Sequence, residues 1–203
     1  FLALEQLRTQ LSQALPATPG IRHFDVSFPL NDAFDPLAWL GAQQCYPQFY
    51  WQQRNGDEEL AALGAVNQFS SLALASQFLR EQNAAQDTRV CGLNAFNPEQ
   101  GSLFLPRLFW RRTAGTATLR LQLWSDRSLV EDARAALDFL QRLRPVKSIR
   151  PLSVQVEHET HQPQQAEWLK LIRRATETIA RGEFEKVVLA RATDLQFTQR
   201  VNP

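Results

Sequence analysis

Gln48-Phe49-Tyr50-Trp51-Gln52-Gln53-Arg54-Asn55-Gly56-Asp57-Glu58-Glu59-Leu60-Ala61-Ala62-Leu63-Gly64-Ala65-Val66 is the stretch on which the fold turns. Aromatic residues over Gln48 to Gln53 favour extended backbone, because bulky rings pack well on a pleated surface. Asn55-Gly56 supplies the positive-φ pair of a hairpin turn, and Leu60 to Val66 can return antiparallel. The prediction is therefore two paired strands, about 48 to 53 and 59 to 66, that begin an antiparallel sheet.

Working downstream, Ser70 or Ser71 caps a helix holding Leu72, Ala75, Phe78 and Leu79, and Arg89 to Phe96 and Ser102 to Trp110 read as strands. Ala117, Leu119, Leu121 and Leu123 alternate with Thr116, Thr118, Arg120 and Gln122, the pattern of a strand buried on one face and wet on the other. It is expected to run antiparallel to its predecessor. Ser128-Leu129-Val130-Glu131 has capping-box spacing, and the helix it opens would bury Leu129, Ala133, Ala136, Leu137 and Leu140 before Pro145 forbids continuation. Working upstream, Asp35-Pro36 sets an N-cap and first-turn proline for a short helix with Leu37 and Leu40. Phe24, Val26 and Phe28 form one face of a strand, and Leu4, Leu7, Leu11 and Leu15 the stripe of an opening helix that Pro16 to Gly20 ends.

Arg144 to Gln165 is polar, proline-containing and the best linker candidate, although Ser153 to Val156 could add a strand. The expected division is a lobe over 1–160 and a second region over 161–203. In the second, Trp168, Leu171, Ile172, Ala175 and Ile179 mark an amphipathic helix and Gly182 falls where a C′ glycine should. Val187 to Ala190 reads as a strand covered on both faces.

The 203 residues are 44% hydrophobic and 21% charged, enough for a real core, and 22 basic against 21 acidic residues leave a net charge of +1. No sequence-wide field therefore attracts nucleic acid or an anionic membrane, and neither is expected as a partner. Cys45 and Cys91 sit in apolar-patterned segments, as reduced thiols do, which points to the cytoplasm. No run has the length of a membrane span or the form of a signal peptide. A start on Phe1, the lack of methionine and a stop at Pro203 read as cut ends, so a fragment is expected.

Most of the chemistry-bearing residues carry nothing. His158 and His161 are three apart in the linker, whereas two zinc-binding histidines on one helix face stand four apart. His23 is alone in a strand, and a lone histidine is more often structural than a ligand. The five tryptophans most simply anchor the core, and no glycine-rich phosphate loop or nucleophile elbow occurs. Lys186 stands before the apolar run Val187-Val188-Leu189-Ala190, where it either snorkels to water or points into a cleft. Residue chemistry alone favours water. Any lysine that is to act as a base near neutrality must have its pKa brought from about 10.4 to about 7.5, which takes roughly 4 kcal/mol of desolvation or nearby positive charge.

Ile179-Ala180-Arg181-Gly182-Glu183-Phe184-Glu185-Lys186-Val187-Val188-Leu189-Ala190-Arg191 resembles the segment that opens the chorismate-binding region of the chorismate-utilising enzymes. That family includes isochorismate synthases, salicylate synthases, anthranilate synthase component I and aminodeoxychorismate synthase component I. Lys186 falls where the isochorismate- and salicylate-forming members have the lysine that activates water, and where the amine-transferring members carry glutamine. Pro16 to Arg22, Phe28-Pro29-Leu30, Asp32 to Asp35 and Tyr46 to Glu59 are similar to the menaquinone-specific branch. The resemblance implies an α+β fold of large, mainly antiparallel sheets packed together with peripheral helices, 161–203 opening the chorismate-binding region. It implies chorismate as the small-molecule substrate, isochorismate as product and Lys186 as a catalytic residue. It also implies magnesium, whose glutamate ligands, together with the general acid and the carboxylate clamps, belong beyond residue 203, so the chain alone is expected to be inactive. Salicylate synthase and siderophore-pathway isochorismate synthase are the runners-up, and a noncatalytic regulatory or structural lobe is the reading of another class.

Overall fold

The computed structural model describes residues 2–13, 15–29, 34–146 and 154–201. The chain divides into two compact units, Phe1–Ile149 and Arg150–Pro203.

In the first unit the elements run α1 (Leu2–Leu11), β1 (Gly20–Pro29), α2 (Pro36–Ala42), β2 (Gln48–Gln52), β3 (Glu58–Phe69), α3 (Leu72–Glu81), β4 (Cys91–Asn94), β5 (Gly101–Thr113), β6 (Thr116–Ser125) and α4 (Leu129–Arg142). The six strands form one sheet in the order β1-β6-β5-β3-β2, with β4 beside the first part of β5, and every pairing is antiparallel. The hairpin forms in the expected place, Gln48 opposite Leu63 and Gln52 opposite Glu59. Its turn differs from the expectation. Gln53 N–H donates to Glu58 O at 2.8 Å and Gly56 N–H donates to Gln53 O at 2.8 Å, so the loop is longer than a two-residue turn. Such a loop needs a left-handed residue only at its end, and Gly56 alone supplies it with φ +79°, while Asn55 keeps a negative φ. The Asn55 side chain instead accepts from Asp57 N–H at 3.3 Å.

One face of the sheet carries the larger core. Val26, Leu63, Leu108, Trp110, Ala117, Leu119, Leu121 and Leu123 meet Leu7 and Leu11 of α1, Trp39 and Leu40 of α2 and Ala133, Ala136, Phe139 and Leu140 of α4. Leu137, expected in that stripe, lies at its margin, and Phe139 completes it. Two of the predicted caps are present. Asp35 Oδ1 accepts from Leu37 N–H at 2.9 Å and Ala38 N–H at 3.0 Å, and Ser71 Oγ accepts from Leu74 N–H at 3.3 Å. The capping box at Ser128 does not close, because its hydroxyl makes no cap bond. Ser125 Oγ takes the Ser128 N–H at 2.9 Å and Thr18 O takes the Leu129 N–H at 3.0 Å, so tertiary partners satisfy the helix start.

The other face of β6 is not wet, contrary to the alternation. Arg120 is buried and Gln122 is only 2% exposed. Arg120 donates to Asp25 Oδ1 at 2.8 Å and Oδ2 at 2.7 Å, and to Asp87 Oδ2 at 2.5 Å, which holds the Asp87 carboxyl below the usual carboxylate range. Gln122 Nε2 donates to Pro106 O at 2.7 Å. Trp124, on the same side, meets Phe78 of α3 edge-on with ring centroids 5.3 Å apart. A polar residue thus occupies a covered face wherever its hydrogen bonds are met there. Trp51 departs from the core reading too, being 41% exposed on the edge strand β2.

A second buried joint ties α4 to the sheet. Arg107 donates to Asp132 Oδ2 at 2.6 Å and Oδ1 at 2.7 Å and to Gln122 O at 2.9 Å, and Asp132 also accepts from Trp124 N–H at 2.9 Å. Nearby, β3 shifts register between Ala65 and Asn67. Gly64 enters that irregularity at φ +68°, and its N–H donates to Pro47 O at 2.9 Å. A Cβ there would stand 2.9 Å from Phe139 Cε2.

In the second unit, β7 (Val156–Gln162) and β8 (Ala192–Phe197) form an antiparallel two-stranded sheet, with α5 (Gln165–Ala180) between them in sequence. β7 occupies the stretch read as linker, so the units part before the expected boundary near residue 160. The possible strand over Ser153 to Val156 lies in part outside the described residues. Val187 to Ala190, expected as a covered strand, is not one among the described residues, and Val188 is 81% exposed. Register gives the reason. The last pair of the ladder is Gln162 with Ala192, and the chain turns into α5 after β7, so β7 has no residues left to pair with 187–190. Among the described residues no helix is long and apolar enough to cross a membrane.

Candidate functional site

Lys186 is carried on the connection between α5 and β8. α5 forms because Trp168, Leu171, Ile172, Ala175 and Ile179 repeat at helical spacing, and it ends at Gly182, as predicted. Gly182 takes φ +76°, its N–H donates to Ile179 O at 2.9 Å, and Glu183 N–H donates to Thr178 O at 3.3 Å. These are the two bonds of a Schellman motif, which satisfies carbonyls the last turn would leave free. Side chains reinforce it. Thr178, the buried residue of α5, donates to Arg174 O at 2.7 Å and accepts from Arg181 Nη2 at 3.2 Å, while Arg181 Nε donates to Glu183 Oε1 at 2.7 Å.

Beyond this turn Lys186 is exposed and has no hydrogen bond or ion pair among the described residues. Glu183, an acid that would favour the ammonium form if it came close, is engaged by Arg181. The next fixed point is Ala192, where β8 joins β7. His158 and His161 lie on β7, a strand and not a linker. His161 bonds Thr193 Oγ1 through Nδ1 at 2.9 Å and approaches Glu159 through Nε2 at 3.2 Å. Among the described residues no group of three or more His, Cys, Asp or Glu could hold a metal ion. The chain therefore presents one amine of interest with a structured turn before it and a ladder after it.

The sequence reading assigned nothing to a polar cluster that the structure assembles in the first unit. Tyr50 O–H donates to Glu59 Oε1 at 2.7 Å, and Arg112 Nε donates to Glu59 Oε2 at 2.9 Å. Burial, the Glu59 hydrogen bond and the Glu59 charge push the Tyr50 phenol up to about 12, with Arg112 opposing. Arg111 Nε donates to Glu58 Oε1 at 2.6 Å alongside. An open groove lies at the adjoining hairpin tips, lined by Gln53, Asp57, Glu58, Arg112 and Thr113. The signal for Tyr50 and Glu59 was present: with Gln52 opposite Glu59, a residue two back on β2 shares its face.

The family model for chorismate binding enzymes matches residues 92–203, starting in β4 and running through β5, β6 and α4 into the second unit. The chain belongs to the chorismate binding enzyme family. Isochorismate synthase MenF of Escherichia coli K12 is 56% identical over 200 residues, 98% of this chain and 46% of that protein. Isochorismate synthase MenF of Pasteurella multocida Pm70 is 32% identical over 158 residues, 77% of this chain and 35% of that protein. The solved structure of MenF, the menaquinone-specific isochorismate synthase from Escherichia coli, matches with a TM-score of 0.87 at 56% identity, over 98% of this chain and 47% of that one. The chain spans about half the length, or less, of the curated relatives it matches.

Proposed function

We propose that this chain is the N-terminal portion of an isochorismate synthase that converts chorismate to isochorismate for menaquinone biosynthesis, with Lys186 as the base. The observation that carries it is the 56% identity with Escherichia coli MenF over 98% of the chain. The lysine at position 186 supports water over ammonia as the nucleophile, since the resemblance associates glutamine there with amine transfer. Lys186, neutral, takes a proton from water as the oxygen bonds to C2 of chorismate, both ring double bonds shift by one position, and the C4 hydroxyl leaves as water after protonation by an acid. That acid is a glutamate beyond residue 203. The resemblance puts the glutamates that would hold magnesium beyond residue 203 as well, and no step here runs through the metal. The two thiols, Cys45 and Cys91, are free, which supports a cytoplasmic location.

The test is Lys186→Ala in the full-length polypeptide with chorismate and magnesium. The expected result is a loss of roughly 10²-fold to 10⁴-fold in rate with folding unchanged. Near-normal isochorismate formation by the folded variant would remove Lys186 from the reaction.

A further inference from the structure

Between the end of α5 and the start of β8, Lys186 travels on backbone that joins no ladder among the described residues. Its position is set by what fixes the two ends of that connection. At the far end stands the Gln162–Ala192 pair. At the near end three neighbouring residues close the last turn of α5, two of them on Thr178. Gly182 supplies the left-handed bend, Glu183 N–H reaches the Thr178 carbonyl, and Arg181 spans from the Thr178 hydroxyl to the Glu183 carboxylate. Thr178 cannot drift in turn, because its hydroxyl is committed to Arg174 O and its side chain is buried.

That is more than a helix needs in order to stop. A left-handed glycine with its two backbone bonds already satisfies the last carbonyls. The exposed Arg181–Glu183 pair adds little stability at the surface, since such pairs gain modest Coulomb energy in water and lose side-chain entropy. What the added ties do is fix the direction in which the chain leaves α5, four residues before the amine.

We propose that Thr178, Arg181 and Gly182 form a positioning clamp that determines where Lys186 is delivered, a role that rests on the reading of Lys186 as the base. None of the three touches substrate in this role. They act through the backbone, so their loss should lower turnover without weakening chorismate binding.

Gly182 isolates the effect. A Cβ built there meets nothing of this chain within 4 Å, so within it Gly182→Ala acts by disfavouring φ +76°. Gly182→Asn keeps access to the left-handed region, which asparagine tolerates better than other side chains. The experiment compares Gly182→Ala, Gly182→Asn, Arg181→Ala and Lys186→Ala in the full-length enzyme, reading kcat, KM for chorismate and melting temperature. The clamp predicts a kcat for Gly182→Ala lower by up to about 10²-fold at unchanged KM, the scale of a misplaced catalytic group. It further predicts recovery of most of that loss in Gly182→Asn and a smaller fall of the same kind in Arg181→Ala. A folded Gly182→Ala enzyme with wild-type kcat, or one whose KM rises in step, overturns the clamp while an inactive Lys186→Ala leaves the base in place. If Gly182→Ala fails to fold, Arg181→Ala decides, because that side chain is exposed and an unchanged kcat there overturns the clamp. An active Lys186→Ala removes base and clamp together.

Discussion

α4 and α5 are written in the same amphipathic code and end in different surroundings. α4 buries Leu129, Ala133, Ala136, Phe139 and Leu140 against the six-stranded sheet. α5 repeats its apolar residues as regularly, yet Leu171, Ile172 and Ile179 remain substantially exposed and Thr178 is its buried residue. The same contrast separates the strands: Leu119, Leu121 and Leu123 lie in the core, whereas Val187 and Val188 lie open to solvent. A period of 3.6 or 2 states which face of a segment wants cover. Whether the cover exists depends on what else the polypeptide supplies, and within residues 154–201 a helix and two strands supply little. Two strands alone are marginal in water, and three or more with an apolar face are needed for independent stability.

The comparison can be broken most sharply at Arg107. Its side chain and that of Asp132 are 10% and 13% exposed, so Arg107→Ala leaves a desolvated carboxylate without its cation. The expected cost to the first unit is about 3–5 kcal/mol, measured by urea unfolding with hydrogen exchange of the β5 and β6 amides as the probe. A cost under about 1 kcal/mol would mean that the sheet face holding Arg107 is not closed as described.

A second effect appears only in alkali. The folded phenol of Tyr50 titrates at about 12, above the unfolded value near 10. Folded Tyr50 therefore holds its proton where the unfolded chain has lost it. The associated stability is complete below about pH 10 and is lost as pH rises from there through about 12. In Tyr46→Phe protein, phenolate absorbance should stay flat to beyond about pH 10 while the fold persists, and Tyr50→Phe should flatten the alkaline fall in stability. Ionisation of the folded protein near pH 10 would show that Glu59 does not hold Tyr50.

The smallest effect is the one expected of the open unit. Val188→Ala should change the stability of this chain by no more than about 0.5 kcal/mol in thermal unfolding, because Val188 is 81% exposed. A loss above about 1 kcal/mol would show that the run is covered and erase the contrast.

Local chemistry made much of the first unit legible. The leucine stripe of α1, the Asp35-Pro36 start of α2, the hairpin and the α4 core residues each follow from spacing and a cap. Arg120 and Gln122 misled, because alternation registers polarity and cannot see that Asp25, Asp87 and the Pro106 carbonyl wait to receive them. β7 was invisible for the opposite reason: Val156 to Gln162 is almost entirely polar and pairs through its backbone with β8. Of the candidate site, the turn at Gly182 was readable from helix-stop chemistry, and the Thr178–Arg181–Glu183 ties were not, since no pattern rule links a buried threonine to an arginine three residues on. Lys186 came from family likeness alone. Its surroundings are those of any solvated lysine.

Gly64 links two parts of the sequence that are otherwise free to vary separately. Any side chain at position 64 meets a strained φ of +68° and, at 2.9 Å, the ring of Phe139 seventy-five positions along the chain. A lineage that replaces this glycine must turn or shrink the Phe139 ring or lift α4 from β3. Positions 64 and 139 are thus expected to drift as a pair, a trace that an alignment of full-length relatives would record even where neither residue comes near the chemistry.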